Sequence, residues 1–397
     1  MANDRDEAQR RLVAAIAQHT AYLHRTGTAH VNKINAIIDD AGSELARELN
    51  DRLDNLAPAE LQAFAQGRYH TSRLKGLRKA LDTWVDKLGD RIRTLSIDEI
   101  EQLAAQEAGY MRDLLAEAIG DTLPAAPAAA AATAVMTQPV LGQFVEDMLA
   151  GIPENTRRQV YSRLRQGFTE GEANGQIVRA LRGTKALGFK DGLLQATRNE
   201  AERIVRTARA HASHVAYEET YDALGVTELV WTAQLEARTC KRCAPLDGQR
   251  FKRDKPHPVD PLHINCRCKL APSLGGDVMG KRPYVKAMKV RNGYRIDPET
   301  GERVPRGPHY RSIGDMTKTQ RENVGLEVGQ VSANTTFSDW FGRQDAAFQR
   351  EWLGPRKYKL YSEGGYTLDR FTDPRNREYT LDELRQRDAA IFAELFG

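Results

Sequence analysis

The chain has four cysteines, Cys240, Cys243, Cys266 and Cys268. All lie within one 29-residue span, and His263 stands three positions before Cys266. The order is Cys-x2-Cys then His-x2-Cys-x-Cys, with 22 residues between Cys243 and Cys266. Thiolate and imidazole donors in such short-spaced pairs are what tetrahedral zinc takes, each pair gripping one side of the ion. Five donors are offered where four are needed. Cys240 and Cys243 make one half, and either His263 with Cys266 or Cys266 with Cys268 completes the other. The expectation is a structural zinc that fixes the loop 244–262 at both ends without a large core. Two disulfides are disfavoured because the start carries Asp4, Asp6 and Glu7 where an export signal would be basic and then apolar. Reduced, merely buried thiols rarely gather at Cys-x2-Cys spacing. A catalytic zinc with Glu236 or Asp247 activating water is disfavoured because a closed, Cys-rich set marks a structural site.

A second segment offers charge. Between 281 and 312 there are nine Lys/Arg against three acids, with Tyr284, Tyr294 and Tyr310 interleaved. Lys286, Lys289, Arg291, Arg295, Arg303 and Arg306 are candidates for contact with nucleic-acid phosphates, and the tyrosines for stacking on bases. The competing and favoured reading is a solvated hairpin around Asn292-Gly293. The net charge of +4 is too mild to decide between them. His211, His214, His257 and His263 could serve general acid–base chemistry, but His211 and His214 sit in a helical stretch among Ala and Val, where packing is the ordinary role. No P-loop, Gly-x-Ser-x-Gly or His-Glu-x-x-His occurs, so ATP or serine-type hydrolysis has no support and the chain is expected not to be an enzyme.

These residues need a frame, and 397 residues suggest two or three units. Leu12, Ile16, Leu23, Ile34, Ile37, Ile38, Leu45, Leu49 and Leu53 recur at helical steps, so 1–122 reads as a helical domain whose stripe packs on itself or on a partner. Pro58 opens one helix, and Ser96-Ile97-Asp98-Glu99 reads as a capping box opening another. The Ala/Pro-rich segment 123–138 reads as a linker, and it is too short and too interrupted by Pro124 and Pro127 to span a bilayer. Residues 139–280 read as a mostly helical block ending at Gly225, followed by a strand over 226–232 and the cysteine cluster. After the basic segment 281–315, helices return in 316–397, with caps at Thr336 and Thr380, the second opening a helix that runs to Phe396. Trp340, Phe341, Phe348 and Trp352 read as core packing. The expected fold class is mainly α with a small α+β zinc-stabilised domain in the middle, elongated and multidomain.

The stretch 194–274 resembles the phage Mu protein F-like family of head morphogenesis, or minor head, proteins. Trp231, Arg238-Thr239-Cys240-Lys241-Arg242-Cys243, Leu246-Asp247-Gly248 and His263-Ile264-Asn265-Cys266-Arg267-Cys268 carry the resemblance, with Arg206-Thr207 in the preceding helix. Glu236, Ala208 and Ile264 depart from the family's usual Asp, Glu and Pro. The stretch 336–373 is similar to a carboxy-terminal signature of such phage proteins. The resemblance implies a few-copy component of a tailed-phage or prophage head, made in the host cytoplasm and carried in the virion. It further implies association with the portal and other head proteins, and a part in assembly, DNA packaging or ejection. A zinc-dependent nuclease or a DNA-binding protein of phage origin is the alternative.

Overall fold

The protein is seen here as a computed structural model that describes residues 2–124, 126–274, 278–286, 288–290, 294–296, 303–305, 309–311 and 328–397. For 2–6, 9, 288–290, 294–296, 303–305 and 309–311 the description is of the backbone. Two long helices make the frame, α1 (Ala2–Leu53) and α3 (Ser72–Ile119). Leu12, Ile16, Ile34, Ile38, Leu45 and Leu49 on the first face Leu77, Leu81, Leu88, Ile92 and Ile100 on the second, all buried. Burial of such side chains is worth about 1.5–3 kcal/mol each, which fixes the pairing. The rungs His19–Glu107, Lys33–Glu99 and Trp84–Ala41 run in opposite sequence directions, so the helices are antiparallel. The apolar stripe of the first 122 residues is therefore spent within the chain.

The turn between them is held by α2 (Pro58–Ala65), with Pro58 in its first turn and Glu60 reaching back to the Ala57 amide at 3.0 Å. Glu60 also accepts from Thr71 Oγ1 at 2.6 Å, while Thr71 caps α3 by accepting from the Leu74 amide. The capping box expected at Ser96 is not a helix start: α3 runs through it unbroken. Ser96 is buried and Glu99 is taken by Lys33 at 2.5 Å and His30 at 3.1 Å, so contact with α1 overrides the local signal.

The segment expected as a linker also differs. Within it α4 (Ala128–Thr137) buries Ala131, Ala134 and Val135 against α3 and α7 (Leu194–Leu224). Its alanines are small enough to lie between two larger helices, and alanine has the highest helix propensity. α5 (Val145–Glu170) packs on α3 where Gly89 leaves room for Pro153, since a Cβ there would stand 2.8 Å from the proline ring. α6 (Asn174–Arg182) follows, and α7 stops at Gly225, held at φ 67° as the sequence anticipates. One core runs from Leu12 to Ala271, so 123–138 is no break between separate cores.

After α7 the chain turns to strands. β1 (Glu228–Thr232) is the middle of an antiparallel sheet, with β3 (Arg250–Lys252) on one side and β4 (Lys269–Ser273) on the other. A second sheet joins β2 (Leu235–Glu236), β5 (Lys281–Val285) and β10 (Val328–Ser332). Beyond it β6 (Met288–Val290) pairs with β9 (His309–Arg311), and β7 (Tyr294–Ile296) with β8 (Arg303–Pro305). Lys289, Arg295 and Arg303 lie on these strands, whereas Arg291 and Arg306 lie outside the described residues. The last lobe is five short helices, Phe337–Gly342, Ala346–Leu353, Pro355–Ser362, Leu381–Arg387 and Ala389–Phe396. The helix expected from Thr380 to Phe396 is thus two, broken at Asp388, whose carboxylate instead bonds Tyr366 and Arg370. Trp340, Phe341 and Phe348 are core, as their spacing suggests.

One buried carboxylate ties this lobe to the sheets. Asp247 accepts from the amides of Ala233 at 2.7 Å and Phe337 at 2.6 Å, and from Arg282 Nη1 at 2.9 Å. Both side chains of the Asp247–Arg282 pair are almost fully excluded from solvent. Removing one member of a buried pair leaves an uncompensated charge, at a cost of about 3–5 kcal/mol. Asp247→Ala should therefore lower the melting temperature and expose 337–397 to limited proteolysis; continued protection of that lobe would show that the carboxylate does not hold it.

Glu60 supplies a pH test. Hydrogen bonds from Thr71 and Ala57 pull its carboxyl down to about 2 from an ordinary value of 4.5. Its contribution is complete above the unfolded value and is lost as the pH falls from about 4.5 towards 2. Amide exchange in α2 should accelerate across that window, and Glu60→Gln should flatten the acid dependence.

Candidate metal centre

The two half-sites stand on opposite walls of the first sheet's end. Cys240 and Cys243 sit on a tight knuckle between β2 and a 3-10 turn (Ala244–Leu246), closed by the Cys243 and Ala244 amides donating to Cys240 O at 3.2 and 3.0 Å. Its entry is pinned by Thr239, whose hydroxyl donates to Gln234 O at close range. The other half-site, before β4, closes through the Cys266 amide on His263 O at 3.0 Å. That turn needs a residue at positive φ, which Asn265 supplies at 59°. The Asn265 amide donates to Thr207 Oγ1 on α7 at 3.0 Å. Through this bond the Arg-Thr pair of α7 bears on the site, since Thr207 sets the height of the second half-site.

All five donors meet. His263 Nε2 lies 3.0 Å from Cys240 Sγ and 3.3 Å from Cys243 Sγ, and Cys243 Sγ lies 3.8 Å from Cys266 Sγ. Two groups can each hold an ion, Cys240 with Cys243 and His263, and Cys243 with Cys266 and Cys268. Tetrahedral zinc at about 2.3 Å from sulfur sets its sulfurs about 3.8 Å apart, the spacing of Cys243 and Cys266. His263 Nδ1 donates to Ile264 O at 2.8 Å, which leaves Nε2 as the nitrogen facing the sulfurs, where a metal would take the place of a proton. Cys243, Cys266 and Cys268 are buried and Cys240 is half-buried. The donor set and its second-sphere bond fit a tetrahedral soft-metal site.

The electrostatics agree. Hydrogen bonding from Cys243 draws the Cys240 thiol down to about 4, against the opposing effect of burial. Cys266 is held well below the usual thiol range by Cys243 and Cys268. Burial works against a charged His263, but its bonds with Cys240 and Cys266 outweigh that and lift it to about 10. Cys243 is pushed well above the usual thiol range by Cys240 and Cys266, and Cys268 is raised likewise, so two of the four sulfurs hold the charge that a cation would meet. Around it lie Arg206, Arg209, Arg267 and Lys269, lining a small space of about 40 Å³ beside Cys266. Arg267 also pairs with Glu236, so the glutamate that departs from the family's Asp keeps a polar role. Ala208, the second departure, is simply buried in the core.

The knuckle also carries the last lobe. Trp352 Nε1 donates to Thr239 O at 2.9 Å, Arg242 Nε donates to Asn376 O at 2.7 Å, and Lys241 lies 3.5 Å from Glu378. These contacts were not visible in the sequence, because each joins residues more than a hundred positions apart. His211 and His214 are not at the metal site. They line a separate cleft with His257, where His214 Nδ1 donates to the buried Asp260 at 3.2 Å and Asp260 also takes Lys269 Nζ at 2.9 Å. Burial opposes the Asp260 charge, yet Lys269 and His214 hold the carboxyl below its ordinary value. Lys286 follows β5, away from the cysteines in sequence, and is half-buried.

No curated protein and no solved structure matches the chain. Residues 158–271 match the family model described as Phage Mu protein F like protein. The match begins inside α5, takes in α6, α7, β1 to β3 and both half-sites, and ends in β4. The segment that builds the cysteine–histidine centre is thus similar to phage Mu protein F, the likeness that its cysteine box and closing His-x2-Cys-x-Cys suggest.

Proposed function

We propose that this chain is a minor head protein of a tailed phage or prophage, acting in head morphogenesis and carried in the virion, with a structural zinc. The observation that carries the reading is the coincidence of the family match with the residues of the metal centre. In this reading Cys240, Cys243, His263 and Cys266 hold the ion and Cys268 stands beside them as a hydrogen-bonding thiol. Zinc, when bound, would supply a cross-link between the knuckle at 240–243 and the turn at 263–266. The sequence separation it bridges is what a small sheet of three short strands cannot stabilise by area alone. A structural role is favoured over a nuclease because four protein donors close the coordination sphere.

The partners proposed are the portal, other head proteins and packaged DNA. For DNA, the ladder of β6 and β9 sets Lys289 at the register position of Tyr310, in a segment rich in Lys and Arg. Short DNA should bind with an affinity that falls steeply with salt, and Arg291→Ala, Arg295→Ala and Arg306→Ala together should weaken it and shallow the salt slope; unchanged binding would remove DNA from the partners. For the portal, co-purification of the two proteins after co-expression, and a low fixed copy number in purified virions, are the expected results. Absence from particles would overturn the virion assignment.

The metal assignment has its own test. Purified protein should carry one zinc per chain. Cys240→Ser, Cys243→Ser and Cys266→Ser should lose it and cost several kcal/mol of stability, while Cys268→Ser should retain it. Cobalt substitution should give the absorption of three sulfurs and one nitrogen. A four-sulfur spectrum, abolished in Cys268→Ser, would replace His263 by Cys268.

A further inference from the structure

The cleft that holds His211 and His214 has no part in the metal centre, and its chemistry is distinctive. It encloses about 700 Å³ between α7, the turn at 138–141, the loop at 256–262 and the loop at 374–376. Five prolines, Pro139, Pro256, Pro258, Pro261 and Pro374, line it, so its walls are stiff before anything binds. Its single carboxylate, Asp260, is already satisfied by Lys269, by the Leu270 amide at 3.2 Å and by His214. An ionised carboxylate only accepts, so His214 carries a proton on Nδ1. His211 donates through Nε2 to Gln138 O at 3.1 Å, and burial beside His214 lowers it to about 4, which keeps it neutral. The charge left over is that of Arg375, exposed at the cleft and without an ion-pair partner among the described residues.

The rim is apolar and held out at a conformational cost. Leu141 is 45% exposed and Val259 48% exposed, both on the cleft, and Phe144, three residues after Leu141, is 44% exposed. Leu141 sits at φ 51° in a tight turn that Val140 and Gln143 close by bonding each other's backbone at 2.8 and 3.0 Å. Positive φ is unfavourable for a leucine, and no core packing repays it at an exposed position. A strained turn that displays an apolar side chain beside a rigid pocket is the form of a recognition surface.

We propose that this cleft is a docking site for an extended segment of a protein partner, carrying an acidic residue between apolar ones. The acidic side chain meets Arg375, and its apolar neighbours cover Leu141 and Val259. Nucleic acid fits less well, since one guanidinium cannot track a phosphate chain and no exposed aromatic plane lines the floor. The inference rests on the reading above, that the chain works by docking to other head proteins.

The test uses the full chain, a labelled peptide of alternating Asp and Leu, and its Lys–Leu counterpart, read by fluorescence anisotropy. The acidic peptide should bind and the basic one should not. Leu141→Gly should weaken binding about tenfold while leaving the melting temperature unchanged or raised, because glycine accepts the positive φ. Arg375→Glu should weaken it by a similar factor at low salt. Equal binding of both peptides, wild-type affinity in both variants, or competition by single-stranded DNA would overturn the proposal. Portal binding is measured separately. If it survives in both variants, the head-protein reading stands and the cleft is not its docking site, whereas loss of portal binding by the wild type with peptide binding intact would overturn only the former.

Discussion

The ionised carboxylate of Asp247 constrains everything around it, because a charge shut off from water is tolerable only when every lone pair is met. Its donors come from three places far apart in the chain: the Ala233 amide after β1, the Arg282 guanidinium on β5 and the Phe337 amide at the first helix of the last lobe. None can be withdrawn without leaving the others unpaired. The same arginine donates through its Nη atoms to Ala233 O and Thr335 O, while its buried Nε meets no partner among the described residues. The two sheets and the last lobe thus meet at one buried polar contact, beside the apolar cluster in which Leu235 and Ala244 join Phe337 and Phe341.

The metal centre sits on that junction. Asp247 follows Cys243 by four residues, and the knuckle between Thr239 and Arg242 supplies a carbonyl, an ammonium and a guanidinium to the last lobe. The opposite half-site is held at its height by Thr207, so α7 and the lobe approach the cysteines from different sides. Three thiolates and one imidazole around a divalent ion leave a net negative charge, and the cations of Arg206, Arg209, Arg267 and Lys269 surround it. A site arranged in this way makes the order of the middle segment depend on occupancy while leaving the long helices to their own apolar packing.

Much of this was legible in the residues themselves. The cysteine cluster, the Pro58 start, the Gly225 stop and the Thr336 and Thr380 caps are local signals, and local signals survive into the fold wherever nothing distant competes. Ser96-x-x-Glu99 failed for the opposite reason: Lys33 and His30, on another helix, claim the glutamate that the capping box needs. The alanine run at 128–137 misled because low complexity and flanking prolines resemble a linker, while its small side chains are what a helix wedged between α3 and α7 requires. The Asp247–Arg282 and Asp260–Lys269 pairs carried no pattern at all. A buried ion pair between residues 35 or nine positions apart is set by the tertiary path, and each member alone reads as an ordinary surface charge.

The helices also decide where a partner can touch. Leu12, Ile16, Ile34, Ile38, Leu45 and Leu49 are used against α3, and the alanines of α4 fill the space behind it, so the long helices have no unspent stripe to offer. In their polar layers the buried Glu107 accepts from His19 and from Tyr217 on α7, whereas Asn35 Oδ1 and Ser96 Oγ are buried without a partner among the described residues. A frame whose apolar faces are consumed must bind through its loops and strands. Among the described residues, Leu141 and Val259 are apolar side chains that stand exposed on such segments. Val259 lies within the span 240–268 that the cysteine–histidine centre closes, so an ion bound there would bear on the frame from which this loop projects without doing any chemistry.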